Sequence, residues 1–187
     1  MIVDIREAGA DAVTEYARVP IAFEVRDVVD CIDDPSASSG VSLSFRRLEH
    51  SYIKDYDTIA TEHPMQWPTR FADKHWTLFL AYVDGVTSGA AAVVLDIAKP
   101  GQSGHALLWD IRVSPHVRRT GVGTALFRRA ETWTLEHGCR ALEVETQSVN
   151  VPACRFYERQ GCFLHAANRG AYPEFPDEVQ LIWRKLL

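Results

Sequence analysis

A glycine-rich turn that runs directly into a helix pattern constrains this chain more than any other feature of its sequence. Residues 118–124 read RRTGVGT, and apolar side chains then recur along residues 121–137 at the spacing of one helix face. Gly138 follows the pattern, at the position where a glycine commonly ends a helix. The first turn of a helix carries unpaired N–H groups and partial positive charge, and glycines allow a ligand to approach the backbone. The turn is therefore typical of an anion site, with pyrophosphate as the usual ligand.

The two arginines at the head of the turn leave two interpretations open. Arg118 and Arg119 would add charge-assisted hydrogen bonds to a bound phosphate. An ordinary strand-to-helix turn with solvated arginines fits the same residues equally well. Two other phosphate motifs do not fit, because the sequence has no GxxxxGK[ST] loop and no third glycine that would complete GxGxxG. A nucleotide-binding P-loop is therefore ruled out, and a dinucleotide-binding fold is disfavoured.

Strand patterns precede and follow two helix patterns along the chain. In chain order the sequence predicts strands over about 20–30 and 41–48, a hairpin turning at Asp84-Gly85, a loop at KPGQSG, a strand over HALLWDIRVSP, a helix over 121–137, a strand over 141–146, a helix over 152–161, and closing strands over CFLHAAN and DEVQLIWRKL. Between the second strand and the hairpin, Pro64 and Pro68 limit an irregular aromatic stretch to short helical pieces. The class is therefore mixed α/β, and 187 residues suit one domain.

Composition and charge narrow the class of function. The net charge of −5 disfavours a general nucleic-acid binder and is compatible with a cationic small substrate. The 4 cysteines form no CxxC pair and no Cys/His cluster at zinc spacing, which indicates free thiols in a reducing compartment and no metal. The start of the sequence lacks a signal-peptide pattern, and no apolar run reaches the length of a membrane span. We expect a cytoplasmic protein without a nucleic-acid or membrane partner.

A second motif downstream of the turn points to a family. The sequence carries, in order, Arg118-x-x-Gly121-x-Gly123 after a strand ending at Val113, and Asn150-x-x-Ala153-x-x-Phe156-Tyr157-x-x-x-Gly161 on the next strand and helix. In this order and spacing the two motifs resemble those of the GCN5-related N-acetyltransferase (GNAT) superfamily. The resemblance covers residues 77–187, whereas residues 1–76 match only loosely. The tail CRFYERQGCFLHAANRGAYPEFPDEVQLIW is similar to the streptothricin acetyltransferase branch of that superfamily.

The resemblance implies a fold and a division of the chain. The implied fold is a mixed α/β one, with a mostly antiparallel central sheet that is splayed between its fourth and fifth strands and flanked by helices. It forms a single GNAT domain over residues 1–187, with residues 1–76 on the acceptor side and residues 77–187 as the acetyl-CoA-binding core. The implied cosubstrate is acetyl-CoA, and the reaction needs no metal.

The same resemblance implies a cosubstrate site. Backbone amides of residues 119–124 would hold the CoA pyrophosphate, and the strand over Ile111–Val113 would pair with the pantetheine arm. An N–H near Val113 would polarise the thioester carbonyl. The implied acetyl-CoA-binding residues are Ile111, Arg112, Val113, Arg118, Arg119, Thr120, Gly121, Val122, Gly123, Thr124, Asn150, Ala153, Phe156 and Tyr157.

Three residues are candidates for the chemistry. Tyr157 is the implied general acid that protonates the departing thiolate, whereas without the motif it would be interpreted as a surface tyrosine. Glu145 is the implied base, acting through water, because it lies five residues before Asn150 and twelve before Tyr157, as the catalytic glutamate does in the ribosomal-protein alanine N-acetyltransferases. A solvated strand acid is the alternative for Glu145. Asp110 is the competing base, and an acid at its place in the streptothricin branch is also a candidate for holding the substrate cation.

The predicted function is transfer of an acetyl group from acetyl-CoA to a primary amine of a small cationic molecule, such as a streptothricin-like antibiotic. A peptide or protein N-terminal acetyltransferase and a non-catalytic acyl-CoA-binding or sensing module are the alternatives, and a homodimer is left open. Direct transfer in this family argues against an acyl-cysteine role for Cys154 or Cys162. Candidates for acceptor binding, with a surface loop as the alternative, are Asp55, Tyr56, Asp57, Trp67 and Asp73.

Overall fold

The computed structural model describes residues 2–96 and 104–187, and the predicted KPGQSG loop lies outside these ranges except for its last glycine. In chain order the described elements are β1 (Val3–Ala8), α1 (Val13–Tyr16), β2 (Phe23–Asp33), β3 (Val41–Lys54), α2 (Trp67–Arg70), β4 (Trp76–Val83), β5 (Val86–Asp96), β6 (His105–Val113), α3 (Val122–Glu136), β7 (Ala141–Gln147), α4 (Val151–Arg159), β8 (Phe163–Asn168) and β9 (Gln180–Leu186). Short 3-10 turns occupy Ala10–Ala12, Tyr56–Thr58, Pro64–Gln66 and Pro115–Val117.

The chain divides into two compact units, each assembled from distant parts of the sequence. The first comprises Met1–Ala22, Asp55–Leu142 and Leu187. The second comprises Phe23–Lys54 and Glu143–Leu186. The expectation of a single domain stays a prediction.

An antiparallel sheet forms the framework of the first unit. Its strands lie in the order β1, β4, β5, β6, and each pairs antiparallel with its neighbour. Asp84 and Gly85 connect β4 to β5 with φ values of 50° and 85°, which is the backbone geometry of a tight hairpin turn. The predicted hairpin is confirmed.

Helices cover both faces of this sheet. On one face, Tyr16 and Trp67 pack against alternate side chains of β4 and β5, including Ala92. Gly89 of β5 faces the opposite side, where α3 packs on β5 and β6. A Cβ at Gly89 would meet Val122 Cγ1 at 2.8 Å, so this glycine permits the close approach of the start of α3. The start of α3 can therefore pack directly against the backbone of β5 at Gly89.

The second unit contains the long β2–β3 hairpin, the helix α4 and the strands β7, β9 and β8 in that spatial order. Pro152 lies in the first turn of α4, and Gly161 follows its end with φ of 84°, as the sequence predicts. Ser148, in the connection from β7 to α4, accepts a 2.7 Å hydrogen bond from the backbone N–H of Val29 on β2. The connection that carries the second motif is therefore tied to the hairpin.

The structure differs from the expectation in three places. The sequence predicts no element before residue 20, but β1 and α1 form there. The prediction that β3 ends near residue 48 is wrong, because the strand continues to Lys54. After a break in the register, β2 supplies backbone partners for the last three residues of β3, with Val25 opposite Tyr52, and such pairing needs no alternation of apolar side chains. A surface-loop environment is also wrong for Trp67, which is 1% exposed in the core.

The described elements make a mixed α/β protein with mostly antiparallel strand pairing. In residues 2–96 and 104–187, the helices are all too short or too polar to cross a membrane.

Candidate active site

A β-bulge precedes Asp110 on β6. Leu108 pairs with Val93 and Asp110 pairs with Ala92, so the intervening Trp109 has no partner on β5. Bulges bend a strand and redirect its side chains, and they are common beside functional sites. The residues Ile111–Val113, predicted to bind the cosubstrate, follow the bulge directly.

Asp110 is held by two donors within the first unit. Tyr16 Oη donates to Asp110 Oδ1 at 2.6 Å. Arg112 donates from Nε to Oδ1 at 2.9 Å and from Nη2 to Oδ2 at 2.8 Å. Burial, reinforced by the negative charge of Asp110, raises the pKa of Tyr16 well above its ordinary value, so its phenol stays a donor. The side chain of Arg112 is 1% exposed, which confines any contact of Arg112 with the cosubstrate to its main chain.

The side chain of Arg118 donates two hydrogen bonds to main-chain carbonyls. Its Nε donates to the carbonyl of Val113 at 2.9 Å, and its Nη2 donates to the carbonyl of Ala22 at 3.0 Å. Burial lowers the pKa of Arg118 from its ordinary value. Because these two bonds are to main-chain carbonyls, the side chain fixes the path from β6 into the turn.

The turn ends in a glycine that opens α3. Gly121 is the N-cap residue with φ of 99°, and Arg119 also has a positive φ, of 64°. A Cβ placed on Gly121 would meet no atom within 4 Å, so the space beside the helix start is open in the described structure. Within the described ranges no side chain caps this end of α3. A pyrophosphate group fits these features, since it would supply the acceptors that the first-turn amides need.

Glu145 is an exposed carboxylate at the end of β7 with two neutral donors. Tyr172 Oη donates to Oε1 at 2.6 Å, and Gln180 Nε2 donates to Oε2 at 2.7 Å. Gln147 Nε2 in turn donates to Tyr172 Oη at 3.2 Å. Glu143, two residues earlier, is buried and paired with Arg184. Glu143 is therefore neutralised by a guanidinium. Glu145 is hydrogen-bonded but has no ion-pair partner within the described ranges.

The second motif positions Tyr157 through α4. Asn150 Oδ1 accepts the backbone N–H of Ala153 at 3.2 Å and so caps the helix. Tyr157 is 4% exposed, and its ring centre lies 5.4 Å from that of Phe156. This burial does not fit the alternative of a surface tyrosine. The roles predicted for both motif residues in catalysis and cosubstrate binding stay predictions.

Sequence reasoning missed the side chains that hold the candidates. Tyr16, Tyr172 and Gln180 belong to no recognised motif, and they reach Asp110 and Glu145 across 94, 27 and 35 residues. No local pattern signals such contacts, because they depend on the pairing of distant elements.

Of the two cysteines considered for an acyl-cysteine role, Cys154 lies on α4. Cys154 is fully buried, and burial raises its pKa to about 12. A thiol in this state is a poor nucleophile at neutral pH, which supports direct acetyl transfer rather than an acyl-cysteine intermediate. Among the residues that the structure describes, no group of three or more His, Cys, Asp and Glu side chains could hold a metal ion.

A cavity of about 620 Å³ lies within the second unit. It is lined by β2, β3, the connection after β7 and the loop 174–178. Among its lining residues, Arg46 is the one cationic side chain. Four of the lining residues carry carboxylates, namely Asp30, Glu174, Asp177 and Glu178. Two of the lining residues, Glu178 and Phe175, also contact Lys54, whose Nζ lies 2.5 Å from the Glu178 carboxylate and 3.6 Å from the ring centre of Phe175. The side chains of Lys54 and Glu178 are both about nine-tenths buried.

Comparison with known proteins places the chain in a family. The model of the acetyltransferase (GNAT) family matches residues 45–162. Streptothricin acetyltransferase A of Bacillus subtilis (strain 168) is 33% identical over 152 residues, which are 80% of this chain and 82% of that protein. A protein assigned as a streptothricin acetyltransferase from Bacillus anthracis str. Ames, solved in complex with acetyl coenzyme A, has a TM-score of 0.78 at 22% identity over 100% of both chains. Nourseothricin acetyltransferase has a TM-score of 0.77 at 22% identity over 100% of this chain and 99% of that chain.

The two solved structures, at 22% identity, establish the fold alone. They confirm the predicted mixed α/β architecture, with a mostly antiparallel sheet flanked by helices, while the splay between two strands stays a prediction. The family match spans more than half of the chain, and it agrees with the two motifs read from the sequence. The chain therefore belongs to the acetyltransferase (GNAT) family and, as predicted, it is an acetyltransferase that uses acetyl-CoA.

Proposed function

We propose that this acetyltransferase transfers the acetyl group of acetyl-CoA to a primary amine of a small cationic molecule. The observation that carries the proposal is the acidic cavity of the second unit. Its four carboxylates outnumber the one arginine among its lining residues. A cavity with excess negative charge attracts cations and disfavours anionic acceptors.

Two of the four carboxylates already have partners. Arg46 Nε donates to Asp30 at 3.0 Å, and Lys54 is paired with Glu178. Glu174 and Asp177 have no ion pair in the described part of the chain, so their charge is available to a ligand. The aromatic ring of Tyr52 lines the same cavity and would add cation–π attraction for an ammonium group.

The proposed chemistry uses one base and one acid. The acceptor arrives as an ammonium ion and must lose a proton before its nitrogen can attack, so Glu145 accepts that proton through a water molecule. The nitrogen then attacks the thioester carbonyl carbon, and the C–S bond breaks. The departing thiolate takes a proton from the Tyr157 hydroxyl, and the proton that the attacking nitrogen loses on becoming an amide returns to the Tyr157 oxygen, so the phenol is restored.

Glu145 suits the role of base better than Asp110 does. The donors to Glu145 are the neutral groups of Tyr172 and Gln180, whereas both oxygens of Asp110 are bonded to the Arg112 guanidinium. A proton placed on Asp110 would break a buried ion pair, which is costly. The same pairing leaves Asp110 suited to an electrostatic role on the acceptor side.

A streptothricin-like antibiotic is the acceptor that the relatives favour, because two of the compared proteins carry streptothricin in their names and the first covers four-fifths of this chain. We also propose a cytoplasmic location, where acetyl-CoA is available, without a nucleic-acid or membrane partner. A peptide N-terminus is the second candidate acceptor.

The experiment is a turnover screen with acetyl-CoA over a library of amines and N-terminal peptides, read as release of the CoA thiol. We expect turnover of small amines that carry more than one positive charge. The double variant Glu174→Gln/Asp177→Asn should raise the acceptor KM about 10-fold, as loss of charged contacts does, and leave the acetyl-CoA KM unchanged. The matched control is Glu49→Gln. It removes a 91% exposed carboxylate on β3 that does not line the cavity.

Two results would contradict the proposal. Turnover of peptide N-termini in preference to every small amine would make the protein a peptide acetyltransferase. Binding of acetyl-CoA with no turnover of any amine would make it an acyl-CoA-binding module.

A further inference from the structure

The β8–β9 connection, residues 169–179, contacts the proposed base on both sides of a segment that lines the acidic cavity. Tyr172, within the connection, donates to Oε1 of Glu145 at 2.6 Å, and Gln180, the first residue of β9, donates to Oε2 at 2.7 Å. Between these two donors lie the five cavity-lining residues 174–178. A shift of the cavity lining therefore also acts on the side chains that orient Glu145.

Two consecutive turns make this segment compact. The N–H of Phe175 donates to the carbonyl of Tyr172 at 3.0 Å, and the N–H of Glu178 donates to the carbonyl of Phe175 at 2.9 Å. These are the i to i+3 hydrogen bonds of β-turns, so each turn begins where the previous one ends. The side chain of Glu178 is in addition paired with buried Lys54. The segment that lines the cavity is thus hydrogen-bonded along its length, and it can pass a displacement on to its ends.

Ser148 joins the β8–β9 connection to the segment that follows the strand of Glu145. Its Oγ accepts the N–H of Val179 at 2.9 Å, and its own N–H donates to the carbonyl of Val179 at 2.9 Å. Its carbonyl accepts the N–H of Val29 on β2 at 2.7 Å. Ser148 lies three residues after Glu145 and two before Asn150, the N-cap of α4, and it is 3% exposed. One buried serine therefore connects three segments that line the cavity, namely β2, the connection after β7 and the β8–β9 connection.

We propose that Ser148 is a positioning residue that couples the cavity to Glu145, so that a cationic acceptor bound in the cavity orients this carboxylate for proton transfer. This inference rests on the proposed function, and it adds a residue that acts through the base. An acceptor bound to Glu174 and Asp177 fixes the cavity side of the connection, and the paired Ser148 and Val179 fix its other end. Binding energy from the part of the acceptor that does not react is thereby used to orient the base. Amines that occupy the cavity then have a higher kcat than simple amines, and not only a lower KM.

A serine that only stabilises the fold would behave differently. Loss of its hydroxyl would lower the thermal midpoint and the amount of active enzyme, and kcat would fall by the same factor for every acceptor. A positioning role requires a larger loss of kcat for an acceptor that occupies the cavity. It also requires that alkaline pH relieves the loss, because an amine that is already free depends less on the base. The ratio of kcat for two acceptors therefore separates the two roles.

The experiment compares streptothricin with butylamine, which has a single ammonium group, in acetyl-transfer kinetics at neutral and alkaline pH. At neutral pH, Ser148→Ala should lower kcat for streptothricin about 10-fold, change kcat for butylamine less than about threefold and leave the KM of acetyl-CoA constant. Ser148→Thr keeps an oxygen that can accept the N–H of Val179, and it should restore the kcat ratio. The matched control is Ser39→Ala, which should change none of these constants. It removes a hydroxyl that donates to the carbonyl of Val41 at 3.0 Å, outside the cavity lining.

Hydrogen exchange read by mass spectrometry tests the coupling without turnover. Streptothricin should slow amide exchange in the wild type over residues 172–180 and also over residues 145–150. In Ser148→Ala the effect on residues 145–150 should be lost, because the bond that links this segment to the β8–β9 connection is removed.

Each outcome decides one of the two proposals. Slowed exchange over residues 145–150 that Ser148→Ala loses supports the coupling even if no acetyl transfer is found, in which case the proposed function fails alone. Acetyl transfer to streptothricin, with kcat for both acceptors unchanged or equally reduced in Ser148→Ala, overturns the coupling and leaves the function intact. Streptothricin binding that does not slow exchange over residues 145–150 in the wild type also overturns the coupling. Wild type that does not bind streptothricin overturns it for this class of amine.

Discussion

The phenol of Tyr172 donates a 2.6 Å hydrogen bond to Oε1 of Glu145, and the two residues lie 27 positions apart in the chain. Gln180 holds the other oxygen of the carboxylate, so the orientation of Glu145 is set from both sides. Neutral donors orient a carboxylate without neutralising it. Glu145 is therefore an oriented carboxylate without an ion-pair partner among the described residues, which suits the role of base proposed for it.

Substitution of this carboxylate should give a defect that alkaline pH relieves. Glu145→Gln should lower kcat/KM about 10²-fold at neutral pH and recover in part at high pH, where free amine is already abundant. Tyr172→Phe keeps the carboxylate but loses one orienting bond, and it should have a smaller effect of the same form. The measurement is kcat/KM against pH. A silent Glu145→Gln beside an Asp110→Asn variant with a pH-rescuable defect would show that the base is Asp110.

Tyr157 should be needed for the chemical step but not for binding of the cosubstrate. Tyr157→Phe keeps the buried ring and removes the proton, so turnover should fall about 10²-fold while acetyl-CoA affinity stays nearly constant. Steady-state kinetics and calorimetric titration of acetyl-CoA measure the two quantities. If turnover with a good acceptor stays at the wild-type level, the thiolate takes its proton from solvent.

The start of α3 allows a test in which charge is the only difference between two variants. A side chain at Gly121 meets no atom within 4 Å but must adopt a φ of 99°, a strain that Asn and Asp share. Gly121→Asp should abolish the thermal stabilisation by acetyl-CoA, because its anion competes with the pyrophosphate, and Gly121→Asn should retain part of it. A thermal-shift titration reads both. Equal loss in the two variants would mean that strain or bulk, rather than charge, prevents binding.

Cys154 should resist alkylation in the native enzyme. With a pKa of about 12, only about one thiol in 10⁴ is ionised at pH 8. Iodoacetamide at that pH should leave Cys154 unmodified and acetyl transfer unaffected, whereas protein unfolded in urea should be labelled. Peptide mass spectrometry follows the label. Rapid labelling of native Cys154, with loss of activity, would reopen the acyl-cysteine route.

The buried ion pair Lys54–Glu178 should affect stability most when one partner alone is removed, because the other charge then stays buried without a counter-ion. Lys54→Met leaves Glu178 buried without its ammonium partner and should cost about 3–5 kcal/mol of unfolding free energy. Lys54→Met/Glu178→Leu removes both charges and should recover most of that loss. Urea denaturation of both variants gives the comparison. Equal destabilisation in the single and double variants would show that packing around Phe175, rather than the uncompensated charge, sets the cost.

The sequence by itself determined the parts of this protein that depend on local backbone preference. Gly121 and Gly138 flank α3 with positive φ, and Asp84-Gly85 turns the β4–β5 hairpin, because few residues other than glycine and short polar ones adopt these angles at low cost. The spacing of the two motifs was likewise enough to predict the family and the cosubstrate.

The tertiary structure decided what the candidate side chains bind. Arg112, predicted to bind the cosubstrate, uses its side chain to join Asp57 and Asp110, which are 53 residues apart in the chain. β3 extends to Lys54 because β2 supplies a backbone partner, not because its residues alternate. Trp67 is core rather than surface because α2 packs on β4 and β5. In each case the free energy comes from groups that meet only after distant segments pair, and a contact between such groups leaves no periodic pattern in the chain.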